Sequence, residues 1–324
     1  MRIGVDVLGG DFAPESTVLG SILAYKEILS DVKLVLIRDE NKIKEICKKK
    51  NFDPSVFEIV HTTEFIGMGE HPAKAYAQKP NSTIALGFKM LATGEIDGFA
   101  SAGSTGAMLV GSMYTGKVIP GVIRPTIAIS APNVGINPTV ILDAGINPDA
   151  KQDVLFQYAI LGSLYSQYVY EVKNPRVALL NIGSEEEKGN LVVKATYQLL
   201  KDSREVNFVG NIEGNELFHT DKADVIVCDG FVGNVVIKEA EAFYHLLKKR
   251  NINDEYFEKF NFENHGGTPI LGVDQVAIIG HGVSQEKAIR TMILHTIHVT
   301  QAELTNKIKE AFKKWQKYEQ LLQE

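Results

Sequence analysis

The chain has 324 residues, 44% hydrophobic and 23% charged, an ordinary globular composition with length for one large or two intimately joined α/β domains. Lysine plus arginine number 34 against 40 acidic residues, and the net charge of −6 argues against nucleic acid as the main partner, since phosphate backbones need a concentrated basic surface. Two cysteines, Cys47 and Cys228, are too few for a disulfide framework and lack CxxC spacing, so a reducing, cytoplasmic setting is expected.

The first residues, Met1 to Asp6, read as a strand and lack the apolar core and small-residue cleavage site of a secretory signal. The turn Gly9-Gly10-Asp11 follows, then a helix over 15–29, a strand over 32–37, a helix over 41–50 and a strand over 57–60. Asn81-Ser82-Thr83 has the form of a glycosylation acceptor, but in a cytosolic chain it is a polar helix start, and a helix is expected over 82–93. A strand over 98–101, a helix over 105–115 and strands over 126–130 and 139–142 come next. Helices over 152–170, 190–201 and 232–249 then alternate with strands over 177–182, 206–209, 225–227 and 276–279.

This order implies an α/β fold with a doubly wound, largely parallel sheet, whose ligands bind outside the carboxyl ends of the strands. No repeat, low-complexity tract or Pro/Gly/Ser linker is visible, so the chain reads as a single α/β domain over 1–324. The composition breaks only in the charged stretch from Lys248 to His265, within a helical arm over 242–265. There Lys248-Lys249-Arg250 precedes Asn253-Asp254-Glu255 and the aromatics Tyr256, Phe257, Phe260 and Phe262. It reads either as a surface helix packed on its own domain or as a dimer or membrane-surface contact. Long helices follow from Gln285 through Lys314 and beyond, with Leu304, Ile308, Phe312 and Trp315 as a stripe for core or dimer packing. No run reaches the ~18 apolar residues that span a bilayer.

One construction recurs: an apolar strand runs straight into a polar, glycine-bearing turn and then a helix. It joins Arg2–Asp6 to Gly9-Gly10-Asp11, and 98–101 to Gly103-Ser104-Thr105-Gly106. Further along, 177–182 leads to the segment from Gly183 to Asn190, 225–227 to the segment from Asp229 to Asn234, and 276–279 to Gly280-His281-Gly282. Backbone N–H groups left free at a helix start, with the positive end of the helix dipole, attract phosphate or carboxylate where glycine lets it approach. Several such turns suggest one shared cleft. Other signatures fail: there is no GxGxxG after a strand, and no GxSxG or HExxH. Gly111 to Lys117 imitates a P-loop but puts Val118 where the metal-binding hydroxyl belongs. His295 and His298 lack a third ligand nearby in sequence.

At this point several motifs resemble one known family. Asp6-Val7-Leu8-Gly9-Gly10-Asp11 within 3–14, Ala102-Gly103-Ser104-Thr105-Gly106 within 101–107, Leu179-Leu180-Asn181-Ile182-Gly183, Gly210-Asn211-Ile212-Glu213-Gly214 and Cys228-Asp229-Gly230-Phe231-Val232-Gly233-Asn234 are similar to the PlsX phosphate acyltransferases. The runs 266–272 and His281-Gly282 continue the likeness over nearly the whole chain. The resemblance implies transfer of a fatty acyl group from acyl carrier protein to inorganic phosphate, supplying acyl phosphate for phosphatidic acid and phospholipid synthesis. It also implies a fold similar to the isocitrate/isopropylmalate dehydrogenases, a homodimer, and neither metal nor nicotinamide cofactor. The next enzyme, a membrane acyl phosphate:glycerol-3-phosphate acyltransferase, becomes a candidate partner, with a cytoplasmic location peripheral to the inner membrane face.

Phosphate is substantially dianionic near neutral pH, its esters having a second pKa near ~6, and thiols ionise near ~8.5 and leave readily. Neither a catalytic triad nor an activated metal-bound water is then required; the protein must align two polar reactants and stabilise a developing oxyanion. The turns Gly103-Ser104-Thr105-Gly106 and Gly230-Phe231-Val232-Gly233 are candidates to hold phosphate and the oxyanion, with Lys188 supplying charge and Asn234 a donor. Asp229 would orient Lys188 or position a donor, and His281 would protonate the leaving sulfur. Plain alternatives stand beside each: Lys188 as a solvated helix-start residue, Asp229 and Asn234 as caps, His281 as a structural hydrogen-bonding group. Gly9, Gly10, Asp11, Arg124, Asn147 and Asn181 complete the binding candidates; Arg124 is attractive because a guanidinium clamps phosphate at two points. Asp6 and Asp11 also read as groups that fix turn N–H donors.

The chain departs from the family pattern at Phe12, Ser104 and Ala77, where relatives usually have His, Asn and Arg, so those side-chain roles do not carry over. Acyl carrier proteins are acidic, and docking needs a local basic surface; Lys74, Lys79, Lys248, Lys249 and Arg250 are the candidates. Three other readings remain open: a coenzyme A-dependent phosphate acyltransferase, a metal- and NAD-dependent dehydrogenase by fold analogy alone, and a non-catalytic scaffold for the next acyltransferase.

Overall fold

The computed structural model describes residues 1–135, 137–219 and 221–323, with the side chains of 262 and 317–323 outside the description. Its strands are β1 (Arg2–Asp6), β2 (Lys33–Ile37), β3 (Glu58–Val60), β4 (Gly98–Ser101), β5 (Thr126–Ile127), β6 (Ile129–Ala131), β7 (Thr139–Leu142), β8 (Arg176–Asn181), β9 (Asn207–Glu213), β10 (Val225–Val227), β11 (Thr268–Leu271) and β12 (Ala277–Ile279). Its helices are α1 (Glu15–Tyr25), α2 (Glu40–Lys49), α3 (Pro72–Gln78), α4 (Thr83–Ala92), α5 (Thr105–Tyr114), α6 (Gln152–Val169), α7 (Leu191–Lys201), α8 (Gly230–Lys249), α9 (Glu255–Glu258), α10 (Glu286–Gln301) and α11 (Leu304–Gln323).

Two compact units result: Met1–Val118 with Phe262–Thr305, and Ile119–Asn261 with Asn306–Glu324. One crossing between them falls inside α11, so no linker composition marks the division. In the first unit the strands run in the order β3-β2-β1-β4-β12-β11, parallel except for β11, which pairs antiparallel with β12. The second unit holds a five-stranded sheet in the order β6-β7-β10-β8-β9, parallel except for β6 against β7. The architecture is the expected α/β type with largely parallel pairing, divided between two sheets.

Parallel strands covered on both faces need continuous apolar runs, and β7 and β10 provide them, each buried along its length. In the first unit the Phe88 ring of α4 meets the Phe99 ring of β4 edge to face at 5.5 Å. Gly87 and Gly111 leave room for those rings, because a methyl at either would overlap one of them. The second unit's core gathers Ile141, Ala178, Ile212, Leu217, Ile226 and Cys228. Leu304, Ile308 and Phe312 are buried, and Trp315 packs on Phe156 and Phe312.

Some boundaries differ from expectation. The strand expected over 126–130 is two strands, β5 and β6. β11 was not expected, because Pro269 lies within it and proline removes a ladder donor. α3 is short and opens on Pro72. α8 begins at Gly230 because Asp229 caps it and continues unbroken into the arm. In the arm, the Tyr256 hydroxyl donates to the Phe218 carbonyl and the Phe260 ring meets the Phe218 ring edge to face at 5.1 Å, packing the arm on its own unit. Phe243, Leu246, Ile252 and Phe257 stay exposed. Phe262, grouped with these aromatics in the sequence, has its side chain outside the described residues.

Replacing a mid-helix glycine by alanine ordinarily gains up to about 1 kcal/mol of helix propensity. At Gly87 the overlap with Phe99 should win, for a net loss of about 1–3 kcal/mol. Thermal or urea melts of Gly87→Ala check this against Gly69→Ala, where nothing lies within 4 Å and no such loss is expected.

Candidate active site

In the first unit the chain moves outward from β1 through β2 and β3, then returns on the other side of β1 at β4. That reversal is where open α/β sheets bind ligands. The Asp6 carboxylate, 2% exposed, stands at this point. It accepts from Ser101 Oγ at 2.6 Å and from Leu8 N at 2.9 Å, and Ser101 Oγ accepts in turn from Gly103 N at 3.0 Å. A methyl on Gly9 would come within 2.6 Å of Gly103 N, so glycine is what lets the two turns touch. The β12 turn joins them: Asp11 N donates to Gly282 O at 2.8 Å and Gly280 N to Ser101 O at 2.8 Å. Burial pushes the Asp6 carboxyl above its ordinary range, opposed by the hydrogen bonds from Ser101, Thr83, Leu8 and Gly9.

The second unit repeats the device. β10 lies between β7 and β8, so the turns after all three emerge from adjacent strands. Asp143, fully buried, follows β7. Its Oδ2 accepts from Asn147 N at 2.6 Å and Asn147 Nδ2 at 3.1 Å, and its Oδ1 from Gly145 and Ile146 N at 3.3 Å. Asn147 Nδ2 also reaches Pro125 O at 2.8 Å, and Asn147 O accepts from Gly230 N at 2.9 Å. The α8 start presses so closely on this turn that a methyl on Gly233 would overlap the Asp143 carbonyl oxygen.

Several candidates therefore act inward. Ser104 Oγ caps α5 from Ala107 N at 3.3 Å, and Asp229 Oδ1 caps α8 from Val232 N at 2.8 Å. The N–H groups of Gly103 and Gly230 are engaged with protein acceptors. The first helical N–H groups beyond them, Thr105 and Gly106 in α5 and Phe231 in α8, have no intrahelical acceptor and are the anion donors these turns offer. Asn181 Oδ1 accepts from Ile182 N at 2.8 Å, and its Nδ2 donates to Lys188 O at 3.1 Å.

Lys188 is exposed, and its ammonium has no hydrogen bond or ion pair among the described residues. Its stem lies over Gly183, where a methyl would come within 2.9 Å of Lys188 Cγ. Glu186 does not neutralise it, being paired with Lys201 Nζ at 2.8 Å and Gln198 Nε2 at 2.6 Å on α7. Asn234 is exposed on the first turns of α8, its Oδ1 within 3.2 Å of where a Gly145 methyl would stand. Arg124 is exposed next to Pro125, and His281 is exposed in the β12 turn.

Among the basic candidates, Lys79 pairs with Glu70 at 2.7 Å and Lys248 with Glu258 at 2.6 Å. Lys74, Lys249 and Arg250 are exposed with no side-chain ion pair among the described residues.

Two residues were given no site role by the sequence reading, Asn211 appearing there only within a motif. Arg38 follows β2, and its Nε is buried without a hydrogen-bond partner among the described residues; burial pushes the guanidinium down, opposed by Asp39 and Asp6. A cation placed directly after a strand was the signal available. Asn211, on β9, is taken up below. Burial also pushes the Cys228 thiol well up, so it is no thiolate near neutral pH. Burial, followed by His298 and His265, pushes His295 down to about 4 and keeps it neutral. Among the described residues no group of three or more His, Cys, Asp or Glu side chains is placed to hold a metal, and no helix is long and apolar enough to cross a membrane.

The family described as fatty acid synthesis protein matches residues 1–307. A phosphate acyltransferase from Dictyoglomus turgidum is 41% identical over 336 aligned positions, covering 97% of this chain and 98% of that protein. Another, from Desulfitobacterium hafniense, is 39% identical, covering 89% of this chain and 91% of that protein. The solved EutD phosphotransacetylase from Staphylococcus aureus aligns with a TM-score of 0.63 at 17% identity, covering 93% of this chain and 94% of its own. A 4-hydroxythreonine-4-phosphate dehydrogenase from Burkholderia phymatum aligns with a TM-score of 0.52 at 13% identity, covering 92% and 98%. At these identities the two structures share a fold with this chain.

The raised Asp6 carboxyl has a definite consequence for stability. Between its ordinary value near 3.8 and its higher folded value, the folded state binds more protons than the unfolded, so this group's contribution falls as pH rises through that window. Asp6→Asn removes the titration. Urea melts from pH 4 to 8 should show the stability of Asp6→Asn gaining on the parent as pH rises, whereas a constant difference would contradict the assignment.

Proposed function

Because the chain belongs to the fatty acid synthesis protein family and is a phosphate acyltransferase, we propose that its donor is the fatty acyl thioester of acyl carrier protein and that its acyl phosphate product serves phospholipid synthesis. A phosphate oxygen attacks the thioester carbonyl, the tetrahedral intermediate collapses, the C–S bond breaks and the thiolate leaves, taking a proton from solvent. The observation that carries this reading is Lys188, a cation with no hydrogen bond or ion pair among the described residues, on the loop after β8, whose neighbour β10 leads into a helix start that leaves the Phe231 N–H without an intrahelical acceptor. In this reading Lys188 and the Phe231 N–H stabilise the charge on phosphate and on the oxyanion, and the exposed Asn234 carboxamide donates a further hydrogen bond. Asp229 acts as the cap that fixes α8, and Asn147 positions Gly230 through its carbonyl. Thr105 and Gly106 of the first unit offer a second set of anion donors.

Transfer is direct. Cys228, buried and protonated, supplies no thiolate for a covalent acyl intermediate. The donor docks through Lys249 and Arg250, basic candidates with no side-chain ion pair among the described residues. A homodimer in the cytoplasm, peripheral to the membrane that holds the next acyltransferase, completes the reading.

Acyl phosphate trapped as hydroxamate, from purified protein, long-chain acyl carrier protein and phosphate without added metal, tests the reaction. Product that depends on phosphate and not on coenzyme A thioesters is expected; product only with coenzyme A thioesters would overturn the proposed donor. Lys188→Ala should lower kcat about 10²–10³-fold with an unchanged melting temperature, and near-normal turnover would remove Lys188 from the mechanism. The double charge reversal Lys249→Glu/Arg250→Glu should raise KM for the carrier protein and flatten its salt dependence, leaving kcat intact. An unchanged KM would move docking elsewhere.

A further inference from the structure

We propose that Asn211 is a positioning residue for Lys188, acting through the main-chain carbonyl of Glu185. The inference rests on the role given to Lys188 above and extends it to a residue on a different strand.

Lys188 lies on the exposed segment between β8 and α7, where a long side chain on a loose turn would sample many positions. Three hydrogen bonds restrict it. Asn211 Nδ2 donates to Glu185 O at 2.8 Å. The same oxygen accepts from Lys188 N at 3.2 Å. At the other end Asn181 Nδ2 donates to Lys188 O at 3.1 Å. The peptide groups on both sides of Lys188 are thus tied to carboxamides from two adjacent strands, while its stem rests on Gly183.

The backbone of β9 shows how Asn211 comes to face this loop. Val177 pairs with Phe208, but Ala178 pairs with Gly210, so Val209 is skipped and the register shifts by one residue. Gly210 takes φ +99, a conformation that glycine tolerates and other residues rarely adopt. A one-residue shift exchanges the two faces of a strand, and bulges of this kind re-aim side chains beside active sites. Beyond the bulge Asn211 stands opposite Leu179.

Stability of the strand alone does not account for the amide. Asn211 Oδ1 is buried without a hydrogen-bond partner among the described residues, a loss that an apolar side chain would avoid. The orientation is fixed chemically, because only the NH₂ end can donate to the Glu185 carbonyl.

The test is a double-mutant cycle in acyl phosphate formation. Asn211→Ala, and the near-isosteric Asn211→Asp that lacks the donor, should each lower kcat about 10²-fold through misplacement of Lys188, with KM for the carrier protein unchanged. In a Lys188→Ala background the same substitutions should cost no more than about twofold, since residues acting as a unit are not additive. Equal losses in both backgrounds, or no loss in the parent, would overturn the proposal; Asn211→Asp serves where Asn211→Ala fails to fold. A second readout needs no turnover: labelling by trinitrobenzenesulfonate, mapped by mass spectrometry, should become faster at Lys188 in Asn211→Ala but stay unchanged at Lys194 of α7. Unchanged labelling at Lys188 would overturn the clamp. If the parent makes no acyl phosphate while labelling responds as stated, the reaction assignment fails and the positioning stands.

Discussion

A buried carboxylate at the end of one strand, with a glycine of the neighbouring turn pressed against it, organises each unit. Asp6 does this where β1 meets β4, and Asp143 where β7 meets β10. Burying a carboxylate is costly unless hydrogen bonds satisfy it. Here the donors are the N–H groups of its own turn together with a side chain, Ser101 in one unit and Asn147 in the other. The glycines matter chiefly because the adjoining backbone occupies the space of a side chain. Once those contacts are made, α5 and α8 start at fixed positions, and the N–H groups of Thr105, Gly106 and Phe231 are left without an intrahelical acceptor.

That division of labour separates framework from chemistry. Gly103, Gly230, Ser104, Asp229, Asn147 and Asn181 hold turns and caps together. In the proposed reading the second unit offers a ligand the Phe231 N–H, the Lys188 ammonium and the Asn234 carboxamide. Such an inventory suits acyl transfer to phosphate, in which both the nucleophile and the leaving group are already reactive near neutral pH. The demand is for alignment and for charge complementarity, which preorganised dipoles and one cation meet without a triad.

Strands that are continuous apolar runs were legible at once: 98–101, 139–142 and 225–227 have the bounds expected of them. Elements that rely on a partner were not. β11 contains Pro269 and is a strand because β12 pairs with it. The bulge at Val209 and Gly210, which turns Asn211 toward the Lys188 loop, leaves no pattern in a segment that reads as alternating residues. Nothing in the sequence singles out Asp143, because its donors are the backbone of its own turn and a side chain that must fold back onto it.

By itself the sequence determined the α/β class, the alternation of most strands and helices, the glycine-bearing turns and the family to which the chain belongs, since these depend on local periodicity, turn chemistry and motif spacing. Tertiary structure alone decided which turns meet, the pairing order that places β4 beside β1 and β10 beside β7, and which polar groups act inward. The physical reason is separation along the chain. Asp6 and Ser101 are 95 residues apart, and Asn211 and Glu185 are 26 apart. Their hydrogen bonds exist only after the sheets have brought distant strand ends together.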